Sequence, residues 1–141
     1  MRRPLHFLPL LSLLLLLGAC ANRLPPHDPQ QAWIDLHGAP GSQVGADSLN
    51  DQHWPDRRYF QVTPGEHRLQ TRVGFEVSSS NLGRTDAEVW RTCILQVDYD
   101  GFAAGQRYQL EARPYGFRAM ARLRDSSGQV VARGRLVRCG I

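Results

Sequence analysis

The sequence predicts an all-β domain, an antiparallel β-sandwich or small barrel of about seven strands. Three observations predict it. Apolar residues recur with a period of two rather than 3.6. Glycine, proline and aspartate punctuate the chain at short intervals. No amphipathic helical stretch of useful length interrupts the pattern.

The elements follow in chain order. Short apolar-rich segments at 33–37 and 58–62 predict the first two strands. In 66–77, His67, Leu69, Thr71, Val73, Phe75 and Val77 share one face, and Arg68, Gln70, Arg72, Gly74 and Glu76 share the other. Such alternation marks a strand with one buried and one wet face. A strand at 89–99 follows. In 106–113, Tyr108, Leu110 and Ala112 oppose Arg107, Gln109, Glu111 and Arg113. In 117–124, Phe117, Ala119, Ala121 and Leu123 oppose Arg118, Met120, Arg122 and Arg124. A last strand spans 129–137.

The turn chemistry fits these boundaries. Thr63-Pro64-Gly65-Glu66 suits a type II turn, with proline fixing the first central φ and glycine taking the positive second one. Asp125-Ser126-Ser127-Gly128 suits a type I turn closed by a glycine bulge. Residues 106–113 and 117–124 should form a hairpin. Face parity requires an odd index sum for each pair, which places Glu111 opposite Arg118 or Met120 and never opposite Ala119. Residues 38–55 and 78–86 read as long loops, where a site would sit if one exists.

Composition bounds the rest. The 141 residues suffice for one domain. All 17 basic residues are arginine, and 13 acidic residues are interspersed with them, so the net charge of +4 carries no basic block. Nucleic acid is not the expected partner.

The first residues form a leader. Met1-Arg2-Arg3 is cationic, and 7–17 is apolar apart from Pro9 and Ser12. That run falls short of the about 20 residues that span a bilayer and matches a secretory core. Leu17-Gly18-Ala19-Cys20 then resembles the lipobox of bacterial lipoproteins. The resemblance implies cleavage after residue 19, diacylglyceryl transfer to the Cys20 sulfur and acylation (palmitate or similar) of the new amino terminus. Ala21 lacks the aspartate that often retains such proteins in the inner membrane, so the expected address is the periplasmic face of the outer membrane. Residues 20–31, with three prolines, read as a short stiff tether, and residues 32–141 as the domain. If Cys20 carries lipid, Cys93 and Cys139 remain as a pair in an oxidising compartment. Cys93 is in phase with Leu95, Val97 and Tyr99, so the expected bond joins the core side of that strand to the C-terminal one.

A second resemblance concerns the fold. Val62-Thr63-Pro64-Gly65-Glu66-His67, followed by Ala104-Gly105-Gln106-Arg107-Tyr108, resembles the pattern of PEGA-type β-sandwich modules, found in small proteobacterial envelope lipoproteins. The likeness covers roughly 59–123. It implies an envelope accessory domain and carries no catalytic residues.

The chemistry-bearing residues point away from catalysis. Among His27, His37, His53 and His67 no pair has metal-ligand spacing, so no metal and no cofactor are expected. His67 reads as a strand-end packing or hydrogen-bonding residue. Ser78-Ser79-Ser80 lacks a nucleophile elbow, and Asp98 and Asp100 lack a demonstrated convergence across a cleft. His53 and Trp54, in the long loop, could touch a ligand. Arg107, Arg113, Arg118, Arg122 and Arg124 fall on one face of adjacent strands. They read as a solvated face that resists edge aggregation or as a stripe for an anionic polymer or lipid headgroups. The expected function is a non-enzymatic module, anchored to the membrane by its lipid, that binds an envelope protein or polymer. The alternatives are a lysozyme-inhibitor-like lipoprotein, disfavoured because a weakly basic chain lacks complementarity to basic lysozyme, and a purely structural domain.

Overall fold

Period-two alternation becomes two stacked sheets. The computed structural model describes residues 22–78 and 88–141. Among them are ten strands and no helix: β1 (Ala32–Gly38), β2 (Gln43–Leu49), β3 (Gln52–His53), β4 (Tyr59–Val62), β5 (Gly65–Ser78), β6 (Glu88–Phe102), β7 (Arg107–Tyr115), β8 (Arg118–Arg124), β9 (Val130–Arg133) and β10 (Arg135–Gly140). One sheet runs β4-β1-β7-β8-β9 and the other β10-β6-β5-β2-β3. Each keeps two edges, so the domain is a sandwich and not a closed barrel. Pairing is antiparallel except between β1 and β7, which run parallel and make the first sheet mixed.

The inner faces carry the predicted residues. Leu69, Thr71 and Val73 of β5 meet Val97, Leu95 and Cys93 of β6 in register, and Phe75 and Val77 continue the same buried face. Ile34, Phe60, Val62, Tyr108, Leu110, Ala112, Ala119, Ala121 and Leu123 fill the core from the other sheet. The Thr71 hydroxyl is buried here with no hydrogen-bond partner among the described residues.

The count of ten exceeds the expected seven for local reasons. Residues 38–55 are not a long loop. They hold β2 and β3, joined by a two-residue turn at Asn50-Asp51, both at positive φ (50° and 65°). Paired positive φ is the type I′ geometry that suits the twist of a hairpin. The second predicted loop lies, beyond Ser78, outside the described residues. The strand expected at 129–137 is two strands in different sheets, separated by Gly134 alone. A Cβ on Gly134 would sit 2.9 Å from the Ala121 Cβ and 3.3 Å from the Val97 Cγ2. Only glycine lets the chain cross so close between the sheets.

The predicted β7–β8 hairpin is present with the predicted parity, but one pair further along. Glu111 faces Arg122, not Arg118 or Met120. The strand continues through Pro114 and Tyr115, and the turn is only Gly116-Phe117, with Gly116 at φ 59°. Proline is tolerated because Pro114 pairs with Ala119 outside the bonded Tyr115–Arg118 pair, and β1 ends before it, opposite Ala112. At the other end of β8, the Asp125–Gly128 turn forms as predicted. Gly128 N–H donates to the Asp125 carbonyl at 2.9 Å, with Gly128 at φ 84°.

Cys93 and Cys139 form a disulfide. They are direct cross-strand neighbours on β6 and β10, with Cα atoms 4.0 Å apart. Leu136 and Cys139 are three residues apart, and in a regular strand they would face opposite ways. A bulge between Leu136 and Arg138 shifts the register by one and returns Cys139 to the inner face.

Candidate binding face

On the outer face of the second sheet, two glycines open a floor. Gly45 of β2 lies one row from Gly74 of β5. Trp90 of β6 packs over Gly74, where a Cβ would meet the indole Cζ2 at 2.6 Å. Arg57, between β3 and β4, covers Gly45, its Nε 3.4 Å from where a Cβ would stand. Its backbone carbonyl is fixed by the Ala46 N–H at 2.9 Å. Gln43, Arg72 and Thr92 complete the walls of a shallow groove of 240 Å³. Trp90 keeps 41 % of its surface exposed. Arg72 is held by Asp47 at 2.8 Å, whereas Arg57 has no carboxylate within ion-pair distance among the described residues. The trough continues past Arg57 and Arg72 to His53 and Asp47.

Below it the same face is a closed polar ladder. The Ser48 hydroxyl donates to Gln70, Gln70 to Gln96, and Gln96 to Asp98, at 2.8–3.1 Å. Arg68 bridges Asp98 and Asp51. Burial raises the Asp98 carboxyl, but hydrogen bonds from Gln96 and Arg68 outweigh it and hold the group below its ordinary value. Beyond Trp90, Glu76 is pushed up by its hydrogen bond with Glu88.

The outer face of the first sheet carries the predicted arginines, and there they divide. Arg107 grips Asp35 with two bonds of 2.9 and 3.0 Å and lies 5.5 Å over the Trp33 ring. Trp33 donates its indole N–H to Asp35 at 2.9 Å and stacks on Tyr59 at 4.2 Å. The Arg107 bond dominates and lowers the Asp35 carboxyl below its ordinary value. Arg124 reaches Glu111 at 3.4 Å. Arg122 also faces Glu111, but its Nε is buried without a partner among the described residues. Arg113 and Arg118, near the hairpin tip, have no carboxylate partner among the described residues.

The two loop residues singled out from sequence separate as well. His53 is exposed and lines the trough. Trp54 turns inward onto Phe60, ring centroids 5.8 Å apart, and is a packing residue rather than a contact. His67 makes the strand-end bonds expected of it. One ring nitrogen lies 2.9 Å from the Asn50 amide and the other 2.8 Å from the Thr63 carbonyl. Cys20 lies outside the described residues. No group of three or more potential metal-binding side chains occurs among those described.

Sequence reasoning missed Trp90, although its parity was readable. It alternates with the inward Cys93, Leu95 and Val97, so a tryptophan there had to stand on the wet face. No family model, no curated protein and no solved structure matches the chain.

Proposed function

We propose that this protein is a lipid-anchored envelope lipoprotein whose sandwich is a non-enzymatic binding module for an anionic glycan polymer. The observation that carries the binding reading is the groove of Trp90, Gly74, Gly45 and Arg57. A half-exposed indole is a platform for the apolar face of a sugar ring. A guanidinium beside it, without a carboxylate partner among the described residues, suits a carboxylate or phosphate on that sugar. Gln43 and Thr92 add neutral hydrogen-bonding groups. The groove is shallow and open, which fits a chain passing through better than a small molecule enclosed. The anchoring half of the reading rests on the Leu17–Cys20 motif and the cationic, apolar leader before it. The resemblance to PEGA-type modules points the same way, toward an accessory domain.

The test is cosedimentation of the processed protein with purified peptidoglycan sacculi, which carry both sugars and carboxylates. The native protein should sediment with them. Trp90→Ala and Arg57→Ala should each reduce the bound fraction about tenfold, the loss expected for one stacking or charge-assisted contact. Arg122→Ala, on the opposite face, should bind as the native protein does. Binding unchanged by both groove substitutions would sink this assignment of the surface.

A further inference from the structure

The β7–β8 hairpin ends in Arg113-Pro114-Tyr115-Gly116-Phe117-Arg118. Tyr115 is 70 % exposed and Phe117 38 % exposed, at a turn of two residues. The turn is braced, because Arg91 of the other sheet donates from its Nε to the Phe117 carbonyl at 2.7 Å. Two exposed aromatics on a fixed point, flanked by arginines with no carboxylate partner among the described residues, have little to stabilise them in water.

The course of the N-terminal segment gives this tip a direction. Arg58 donates to the Asn22 carbonyl at 2.6 Å, and the Asp28 N–H donates to Gln61 at 2.9 Å. The chain from Asn22 to Asp28 therefore runs along edge strand β4 in the direction of β4 itself. β4 is antiparallel to β1, and β1 is parallel to β7. Following the chain backward from Asp28 to Asn22 thus leads toward the end where β7 turns at Gly116. Tyr59 is level with Asp35 and Gln109, and Arg58 is one step nearer the tip. From Gln109 to Tyr115 the strand climbs about 20 Å. Asn22 is two residues from Cys20, a span of at most about 7 Å. The described N-terminal end at Asn22 and the tip thus lie toward the same end of the sandwich.

We propose that the Tyr115–Phe117 tip is a membrane-contact element that docks this end of the domain on the lipid surface carrying its own anchor. The inference rests on reading Cys20 as the acylated residue. Aromatic rings of this kind settle at the headgroup level of a bilayer. Arg113 and Arg118 lie where they meet phosphates, which guanidinium groups bind in a bidentate fashion. Glu76 and Glu88 belong to this end too, but they stand on or beside the outer face of the other sheet. The domain therefore leans on its β7–β8 side. A protein partner fits less well, since a two-residue tip presents far less than the about 800 Å² per side of a stable interface.

The experiment uses the full chain, processed by the producing cell and reconstituted in vesicles of phosphatidylethanolamine and phosphatidylglycerol. A single added cysteine carries an environment-sensitive fluorophore, at Phe117→Cys or Tyr115→Cys on the tip, or at Ser126→Cys in the turn at the far end. Intact-disulfide and circular-dichroism checks confirm the fold of each variant. Spin-labelled lipid should quench both tip probes several-fold more than the Ser126 probe, with a blue-shifted emission at the tip alone. Vesicle-bound protein whose tip and far-end probes are quenched alike would overturn the docking and leave the anchor reading standing. Tip probes shielded without vesicles, together with dimers on sedimentation, would overturn it in favour of self-association. A processed protein whose mass carries no acyl chains would overturn both readings, and the mass alone identifies that case.

Discussion

Opening the Cys93–Cys139 bond should cost this domain a large part of its stability, and the loss should begin at one strand. The bond closes a loop spanning 46 positions in sequence. The chain-entropy account gives about 4 kcal/mol for that loop, reduced to roughly 2–4 by residual structure in the unfolded chain. Reduction leaves both sulfur atoms in place, so it isolates the linkage. The Cys93→Ala, Cys139→Ala pair also empties volume at the fully buried Cys93 and should cost about 1 kcal/mol more. For a domain of this size the reduced protein should melt roughly 10–20 °C below the oxidised one. Among the described residues β10 is an edge strand paired with β6 alone. Hydrogen exchange should therefore rise first over Arg135–Gly140, while the β5–β6 pairing stays protected. Urea unfolding and exchange, run with and without reductant, check both parts. A melting shift below about 3 °C, or loss of β5–β6 protection before β10, would refute the reasoning.

Three further outcomes follow from the core and its faces. Thr71→Val removes a buried hydroxyl that has no partner among the described residues; it should be neutral or stabilise by up to about 1 kcal/mol in urea melts, and a loss of that size would reveal a bond to the hydroxyl. Gly134→Val brings side-chain carbon onto Ala121 and Val97; it should destabilise by about 2–3 kcal/mol, more than Gly134→Ala, and a native-like melting temperature would contradict the crossing geometry. The Asp35 carboxyl is depressed by Arg107, so its contribution is present above the unfolded-state value and is lost as pH falls through the folded one. Asp35→Asn should cost about 1 kcal/mol near neutrality, kept small by the exposure of the pair, and should flatten the acid limb of the stability curve; an acid limb identical to the native one would exclude this pair as its source.

The fold was legible where a strand alternates strongly and a turn has only one chemistry. β5, β7 and β8 meet that condition, as does the Asp125–Gly128 turn. β2 does not. Its inward residues are Val44, Ala46 and Leu49, and an irregularity between Ala46 and Ser48 breaks the period, so the glycine-rich segment looked like loop. The single residue Gly134 hid a change of sheet, although an isolated glycine inside a strand pattern is a known sign of a corner. Leu136 and Cys139 carried a similar clue: an inward pair three residues apart requires a bulge. The groove was legible only in part. Trp90 could be placed on the wet face by parity, and residues 38–55 were singled out as a place for a site. That Arg57 would cover Gly45 depends on the path of the β3–β4 connection, which no local pattern records. Trp54 misled for the opposite reason, because an aromatic beside a histidine in a polar segment carries no sign of which way it turns.

The segment along β4 has a mechanical consequence. Asn22 to Gln31 is fastened to the domain by a few bonds, from Arg58 to the Asn22 carbonyl, from the Asp28 N–H to Gln61 and from the Gly105 N–H to the Gln31 carbonyl. None belongs to a sheet ladder, so a pull on the N-terminus peels them one at a time while the hydrogen bonds of β1 to β4 and β7 stay whole. The segment is spare line wound against the domain. Paid out, its ten residues reach at most about 35 Å. On the proposed reading of Cys20 as a lipid anchor, the domain would have two working heights above it: one close-hauled, and one able to follow a layer that moves away.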